Sequence, residues 1–194
     1  AEDVLVTAGH CIVDEDDCRS SLWIFDYTAK VASRKRFKAS NTVGCKEIIS
    51  REFNKEKVID FSVVRLDRKV KGRTPLRFRI EGQIELDTPV VMIGHPLGLP
   101  MKLTKGASVW HNDREWIFSA NLDAFGGNSG SPVINENTGL VEGILVRGGS
   151  DFHENDEGTL MVNLCDESTT EEECLYGEDI TRIQKLNLPE LLKN

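Results

Sequence analysis

An all-β fold is predicted by three features of this sequence. Short segments rich in β-branched residues recur along the chain. Clusters of Gly, Pro, Asn and Ser, which supply turn geometry, separate them: GHPLGLP at 94–100, GGNSGSP at 126–132, NENTG at 135–139 and RGGS at 147–150. The character changes near the carboxy terminus, where apolar residues take a helix-like spacing.

Taken in order, strands are expected at 4–7, 22–27, 43–49, 61–66, 89–93, 116–120, 140–146 and 159–164. Their Val, Ile, Thr and aromatic side chains suit a pleated, half-buried surface. The stretch 68–87 carries the basic, proline-containing run after Leu66 and reads as a linker. It divides the chain into a first β half, 1–75, and a second, 76–194. At the end, Asp179 can cap a helical segment over 180–186, with apolar positions at 180, 183 and 186.

The 194 residues, 39% of them hydrophobic, suffice for a real core. With 24 basic against 32 acidic side chains the formal charge is −8, which argues against nucleic acid or an anionic membrane as the main partner. No apolar run approaches the roughly 18 residues of a membrane-spanning helix, and no leader pattern opens the chain. A soluble, mature segment is expected.

The five cysteines are Cys11, Cys18, Cys45, Cys165 and Cys174, and none falls in a CxxC spacing. Cys165 and Cys174 flank an acidic loop, so a local disulfide is expected there, together with an oxidising compartment. Of Cys11, Cys18 and Cys45 one must be left over.

The string DAFGGNSGSPV at 123–133 sets Ser129 among small residues. Glycines at 126, 127 and 130 allow tight turns, and amides beside the serine can point at a developing oxyanion. Such a cluster alone is often only a loop. Two other strings give it company: TAGHC at 7–11 puts His10 at a strand end, and VIDFSVVRLD at 58–67 puts Asp60 at the start of another. Histidine, carboxylate and serine are the parts of an acyl-transfer triad, with the imidazole as base and the carboxylate fixing its tautomer.

With these three motifs in the order His, Asp, Ser, the chain resembles the trypsin/chymotrypsin-like serine peptidases. It looks most like the bacterial secreted branch that includes the glutamyl endopeptidases, where GGNSGSPV replaces GDSGGP. The resemblance implies His10 as general base, Asp60 as orienting carboxylate, Ser129 as nucleophile, and the Gly127 and Ser129 amides as the oxyanion hole. It also implies two six-stranded antiparallel barrels of the chymotrypsin type with the triad in the cleft between them, here followed by a short C-terminal helix.

Two departures bear on that picture. Asn128 stands where zymogen-activated relatives have an aspartate that captures a new amino terminus, so that switch is not expected. TAGHC begins after six residues, where the family places about two strands ahead of it. The first barrel is therefore expected to be incomplete, its N-terminal strands cut off or supplied by a separate segment.

His95, His111 and His153 lie in turns or polar loops and are read as ordinary surface residues. Their scatter fits no zinc pattern, and neither metal nor other cofactor is expected. The acidic runs at 14–17 and 167–173 lack the EF-hand alternation and read as solvated loops, and the basic run at 33–38 as a solvated hairpin face.

The function expected is a serine endopeptidase, secreted or periplasmic, acting on protein or peptide substrates. The competing class is a catalytically silent peptidase-like domain that binds or regulates a partner. By the resemblance, substrate is bound by Asp123, Ala124 and Phe125 on one side and Leu145, Val146 and Arg147 on the other. Asp123, six before the nucleophile, lies at the base of the primary specificity pocket in this family, which points to cleavage after Lys or Arg. Glutamate-specific relatives place a histidine where this chain has Leu145, so glutamate preference is not expected. Two alternatives stay open: Arg147 neutralises Asp123, or Phe125 fills the pocket.

Overall fold

The computed structural model describes residues 1–34, 36–163 and 177–193. Strands β1 (Val4–Thr7), β2 (Leu22–Ile24), β3 (Thr42–Asn54) and β4 (Ile59–Leu66) form one antiparallel sheet in the order β1-β4-β3-β2. Strands β5 (Pro89–Gly94), β6 (Lys102–His111), β7 (Ile117–Ala120), β8 (Pro132–Asn135), β9 (Val141–Arg147) and β12 (Glu178–Arg182) close into a barrel in the order β12-β7-β6-β5-β8-β9. A small hairpin, β10 (Phe152–Glu154) with β11 (Leu160–Val162), stands apart. The architecture is mostly β: one closed six-stranded barrel and one four-stranded half-barrel sheet, of chymotrypsin type.

The strand β4 shows why a nearly continuous apolar run is needed. Phe61 and Val63 face a core shared with the barrel strand β9 and the C-terminal segment, through Val141, Ile144, Ile183, Leu186 and Leu188. Val64 faces the opposite way, into the cluster of Ile12, Cys18 and Cys45. Successive side chains of a strand point to opposite faces, so β4 is buried on both. Inside the barrel, Val90, Met92, Ala107, Val109, Phe118, Val133, Leu145 and Ile180 make a second, closed core.

Several expectations are corrected. The segment 180–186 is not a helix: Ile180 is buried inside the barrel on β12, and only Ile183–Leu186 turns, as a 3-10 helix. The apolar residues at 180, 183 and 186 are all buried, but against two different cores. A short α-helix, α3 (Leu188–Leu191), follows, opened by Pro189.

The acidic run at 14–17 is a helix start, not a loop. Asp14 caps α1 (Glu15–Ser20) by accepting from the Asp16 and Asp17 amides, and the acidic first turn suits the positive end of the helix. The run at 33–38 is exposed where described, but it follows a helix, α2 (Ala29–Ser33), and is no hairpin. The strand β6 was not legible, since only Ala107 and Val109 of its ten residues turn fully inward.

Cys18 on α1 and Cys45 on β3 form a disulfide, and Cys11 is the cysteine left over, free and exposed. The expected Cys165–Cys174 pair lies outside the described residues. Among the described residues, no helix is long and apolar enough to cross a membrane.

Candidate active site

His10 sits on the turn after β1, pressed against the neighbouring strands. A Cβ at Gly9 would lie 2.6 Å from the Glu52 carbonyl oxygen and 2.8 Å from that of Phe61, so only glycine lets the turn approach. The Arg51 Nε braces the turn by donating to the carbonyls of Gly9 (2.9 Å) and Ile12 (2.8 Å).

Asp60, the second residue of β4, holds His10 twice. Its Oδ1 accepts from the His10 backbone N–H at 3.0 Å, and its Oδ2 lies 2.7 Å from the ring Nδ1. An ionised carboxylate can only accept, so Nδ1 carries a proton, and in the neutral ring Nε2 is the free basic nitrogen. The hydrogen bond to Asp60, and after it one to the Cys11 thiol, raises the imidazole from its ordinary 6.5 to about 10, against a smaller opposing effect of burial. Asp60 is itself tied to the barrel, since the Thr181 Oγ1 on β12 donates to its backbone carbonyl at 2.9 Å.

Ser129 lies in the loop before β8, which is clamped to β9 in both directions. The Gly130 amide donates to the Leu145 carbonyl at 2.8 Å, and the Leu145 amide donates to that of Ser131 at 3.0 Å. Gly130 has φ +84°, and a Cβ there would lie 2.3 Å from the Thr7 Oγ1, so this loop abuts the histidine turn. The Cys11 Sγ touches the Ser129 carbonyl at 4.0 Å from the other side.

The amides of the loop divide into two sets. Gly126 donates to Asp151 Oδ2 (2.6 Å), Asn128 to the Phe125 carbonyl (3.1 Å), and Ser131 to that of Asn128 (2.9 Å). Among the described residues, the Gly127 and Ser129 amides have no hydrogen-bond partner. Asn128 is buried and carries no charge.

The expected substrate-binding residues fall as follows. Asp123 is exposed, and its carbonyl accepts from the Thr104 Oγ1 at 3.1 Å. Ala124 packs on the barrel core, and the Phe125 ring lies 5.8 Å from that of Phe152. The side chains of Leu145 and Val146 are buried in the barrel core and the shared core. Arg147 binds Asp179, whose Oδ2 accepts from its Nε (2.6 Å) and Nη2 (2.5 Å), and Ser119 completes that group at 2.7 Å. Arg147 is therefore committed to a carboxylate other than Asp123.

The other histidines stand apart from this pair. The His95 Nδ1 donates to the Leu99 carbonyl (3.0 Å) and its ring stacks on Tyr27, and His153 bonds Asn163. Sequence reasoning missed Asp151, which holds the Gly126 amide, and Glu178, which lies against Gly148. No local signal marked either one, because each is defined by a contact with a segment far away in sequence. Among the described residues, no three His, Cys, Asp or Glu side chains converge as a metal site.

Comparison with known proteins establishes the family and the fold. A family model described as a trypsin-like peptidase domain matches residues 1–144. The fold resembles a glutamyl endopeptidase solved with MPD, at 18% identity and TM-score 0.56, covering 100% of this chain and 80% of the other. It also resembles Rv3671c from M. tuberculosis H37Rv, solved as an inactive Ser343Ala mutant, at 14% identity and TM-score 0.55, covering 99% and 78%. No curated protein matches the chain. The chain belongs to the family of trypsin-like peptidase domains, serine endopeptidases of the chymotrypsin-type fold.

Proposed function

We propose that the chain cleaves peptide bonds with Ser129 as nucleophile, His10 as general base and Asp60 as the carboxylate that orients the base. The observation that carries this reading is the pair of unpartnered amides at Gly127 and Ser129, on a loop braced against the turn that holds His10 and Asp60. Those amides suit a developing oxyanion, since donors already free of other partners cost nothing to reorganise. In the step, Nε2 takes the Ser129 proton while Oγ attacks the carbonyl carbon. His10⁺ then returns the proton to the leaving amine, and water repeats the sequence on the acyl-enzyme. The ring makes no hydrogen bond to the Ser129 hydroxyl among the described residues, a contact that commonly tightens when substrate arrives.

The preference proposed is for Lys or Arg before the scissile bond. Its support is the commitment of Arg147 to Asp179, which leaves the acidic groups near the nucleophile loop, Asp123 among them, without that counter-ion. Secretion to an oxidising compartment fits the Cys18–Cys45 disulfide. The free edge of β1 is the place where a strand from a separate N-terminal segment would complete the first sheet.

A fluorophosphonate probe tests the catalytic reading. Stoichiometric labelling of Ser129 is expected, with labelling and peptide hydrolysis both lost in Ser129→Ala and hydrolysis lost in His10→Ala at unchanged thermal melting. A folded protein that neither labels nor cleaves would instead be the silent binding domain.

A further inference from the structure

Glu178 is a titratable side chain that the mechanism does not use. On β12 it pairs directly opposite Ala120 of β7, and it lies two residues from Ile180 on the same face of the strand. Ala120 and Ile180 are both core residues of the barrel, so the Glu178 carboxylate points toward the barrel interior at its end. Across from it is Gly148, where a Cβ would lie 2.1 Å from both carboxylate oxygens.

Among the described residues, the surroundings offer this carboxylate no cation. Its charged neighbours are Asp151 and Asp179, and Arg147 and Arg114 both lie on Asp179, which alternates to the other face of the strand. Among the described residues, Glu178 has neither a side-chain hydrogen bond nor an ion pair. Burial first, then repulsion from Asp151 and Asp179, pushes its carboxyl up to about 8. An arriving cation reverses both effects, since it restores the ionised form and offsets its desolvation.

The position is continuous with the nucleophile loop. That loop is bonded to β9 through Gly130 and Leu145, and β9 leads directly into Gly148. Asp151, just beyond, holds the Gly126 amide three residues before Ser129. Ala124 packs on the same core that Glu178 caps. Because Gly148 has no Cβ, the Glu178 carboxylate lies directly against the segment that continues from β9, where a substrate side chain held along that segment would meet it.

We propose that Glu178 is the residue that selects a Lys or Arg side chain before the scissile bond, with Gly148 making room for its carboxylate beside the segment that follows β9. This rests on the serine-peptidase reading of the same site and assigns the selecting charge to Glu178 in place of Asp123.

The test compares kcat/KM on matched peptides with Lys or norleucine before the scissile bond. In Glu178→Gln, an isosteric change, the Lys/norleucine ratio is expected to fall about tenfold or more, as for a site whose charge partner is lost. Asp123→Asn is expected to leave most of the ratio in place. Gly148→Val, whose side chain would displace the Glu178 carboxylate, is expected to lower the ratio as well. A wild-type ratio near one, or a ratio that survives Glu178→Gln and collapses in Asp123→Asn, overturns the assignment. Fluorophosphonate labelling of the wild type separates the two failures: a labelled enzyme without the preference sinks only the role of Glu178, and an unlabelled one sinks the peptidase reading beneath it.

Discussion

At the scale of single residues, the behaviour of His10 follows from its partner. Its imidazole binds a proton more tightly in the folded chain than free in water, because Asp60 and then Cys11 favour the charged ring. A folded value above the unfolded one stabilises the fold in full below about pH 6.5, and that contribution is lost as pH rises through the folded value near 10. On the proposed mechanism activity runs the opposite way, because only the neutral ring can take the Ser129 proton. The acidic limb of kcat/KM should therefore have its midpoint above 6.5. NMR titration of the ring is expected to show the same raised midpoint, and Asp60→Asn to bring it down while lowering turnover by about 10⁴-fold. A wild-type midpoint at or below 6.5 would contradict the Asp60 hydrogen bond. His10, Asp60 and Ser129 were legible as candidates because each lies in a short motif of recognisable composition. Glu178 was not, since nothing within a few residues of it says which way its carboxylate points.

At the scale of elements, the disulfide joins two pieces that sequence patterning treats unequally. β3 was legible from its β-branched residues, whereas α1 has only six residues, too few to show a helical period. Its capping signal, Asp14 followed by acidic residues, was present but reads equally well as a solvated run. Cys18 on α1 is fully buried and bonds Cys45 across a separation of 27 residues, so the crosslink fixes a helix that has little stability of its own. Closing a loop of that length contributes about 3 kcal/mol by restricting the unfolded chain. Replacing both cysteines by alanine should therefore lower the urea-derived unfolding free energy by about that amount. A change within the error of extrapolation would show that α1 is held by packing alone.

At the scale of the whole molecule, the first sheet and the barrel share one core. Phe61 and Val63 of β4 meet Val141, Ile144 and Val146 of β9 there, and Ile183, Leu186 and Leu188 close it. The connection between sheet and barrel is pinned as well. Phe78 bridges to Val141, and Arg79 forms a bidentate pair with Glu142, whose side chain is only 1% exposed and also accepts from Asn135 at 3.0 Å. Removing one partner of such a pair strands a buried charge. Arg79→Ala is expected to cost about 3 to 5 kcal/mol in denaturant unfolding. Glu142→Gln in the same background should recover part of that loss by removing the charge, and no recovery would show that Arg79 acts through packing.

The sequence by itself determined the class of fold, the positions of most strands, and the three motifs in which His10, Asp60 and Ser129 stand. These are local matters of side-chain alternation, turn chemistry and small-residue packing. Only the tertiary structure decided that Arg147 belongs to Asp179, that Cys18 takes Cys45, that 178–182 is the strand closing the barrel, and that Glu178 faces Gly148. Each of these is a pairing between segments far apart in sequence. A strand's register selects its partners and the face its charges occupy, and that register is set by closing the whole sheet.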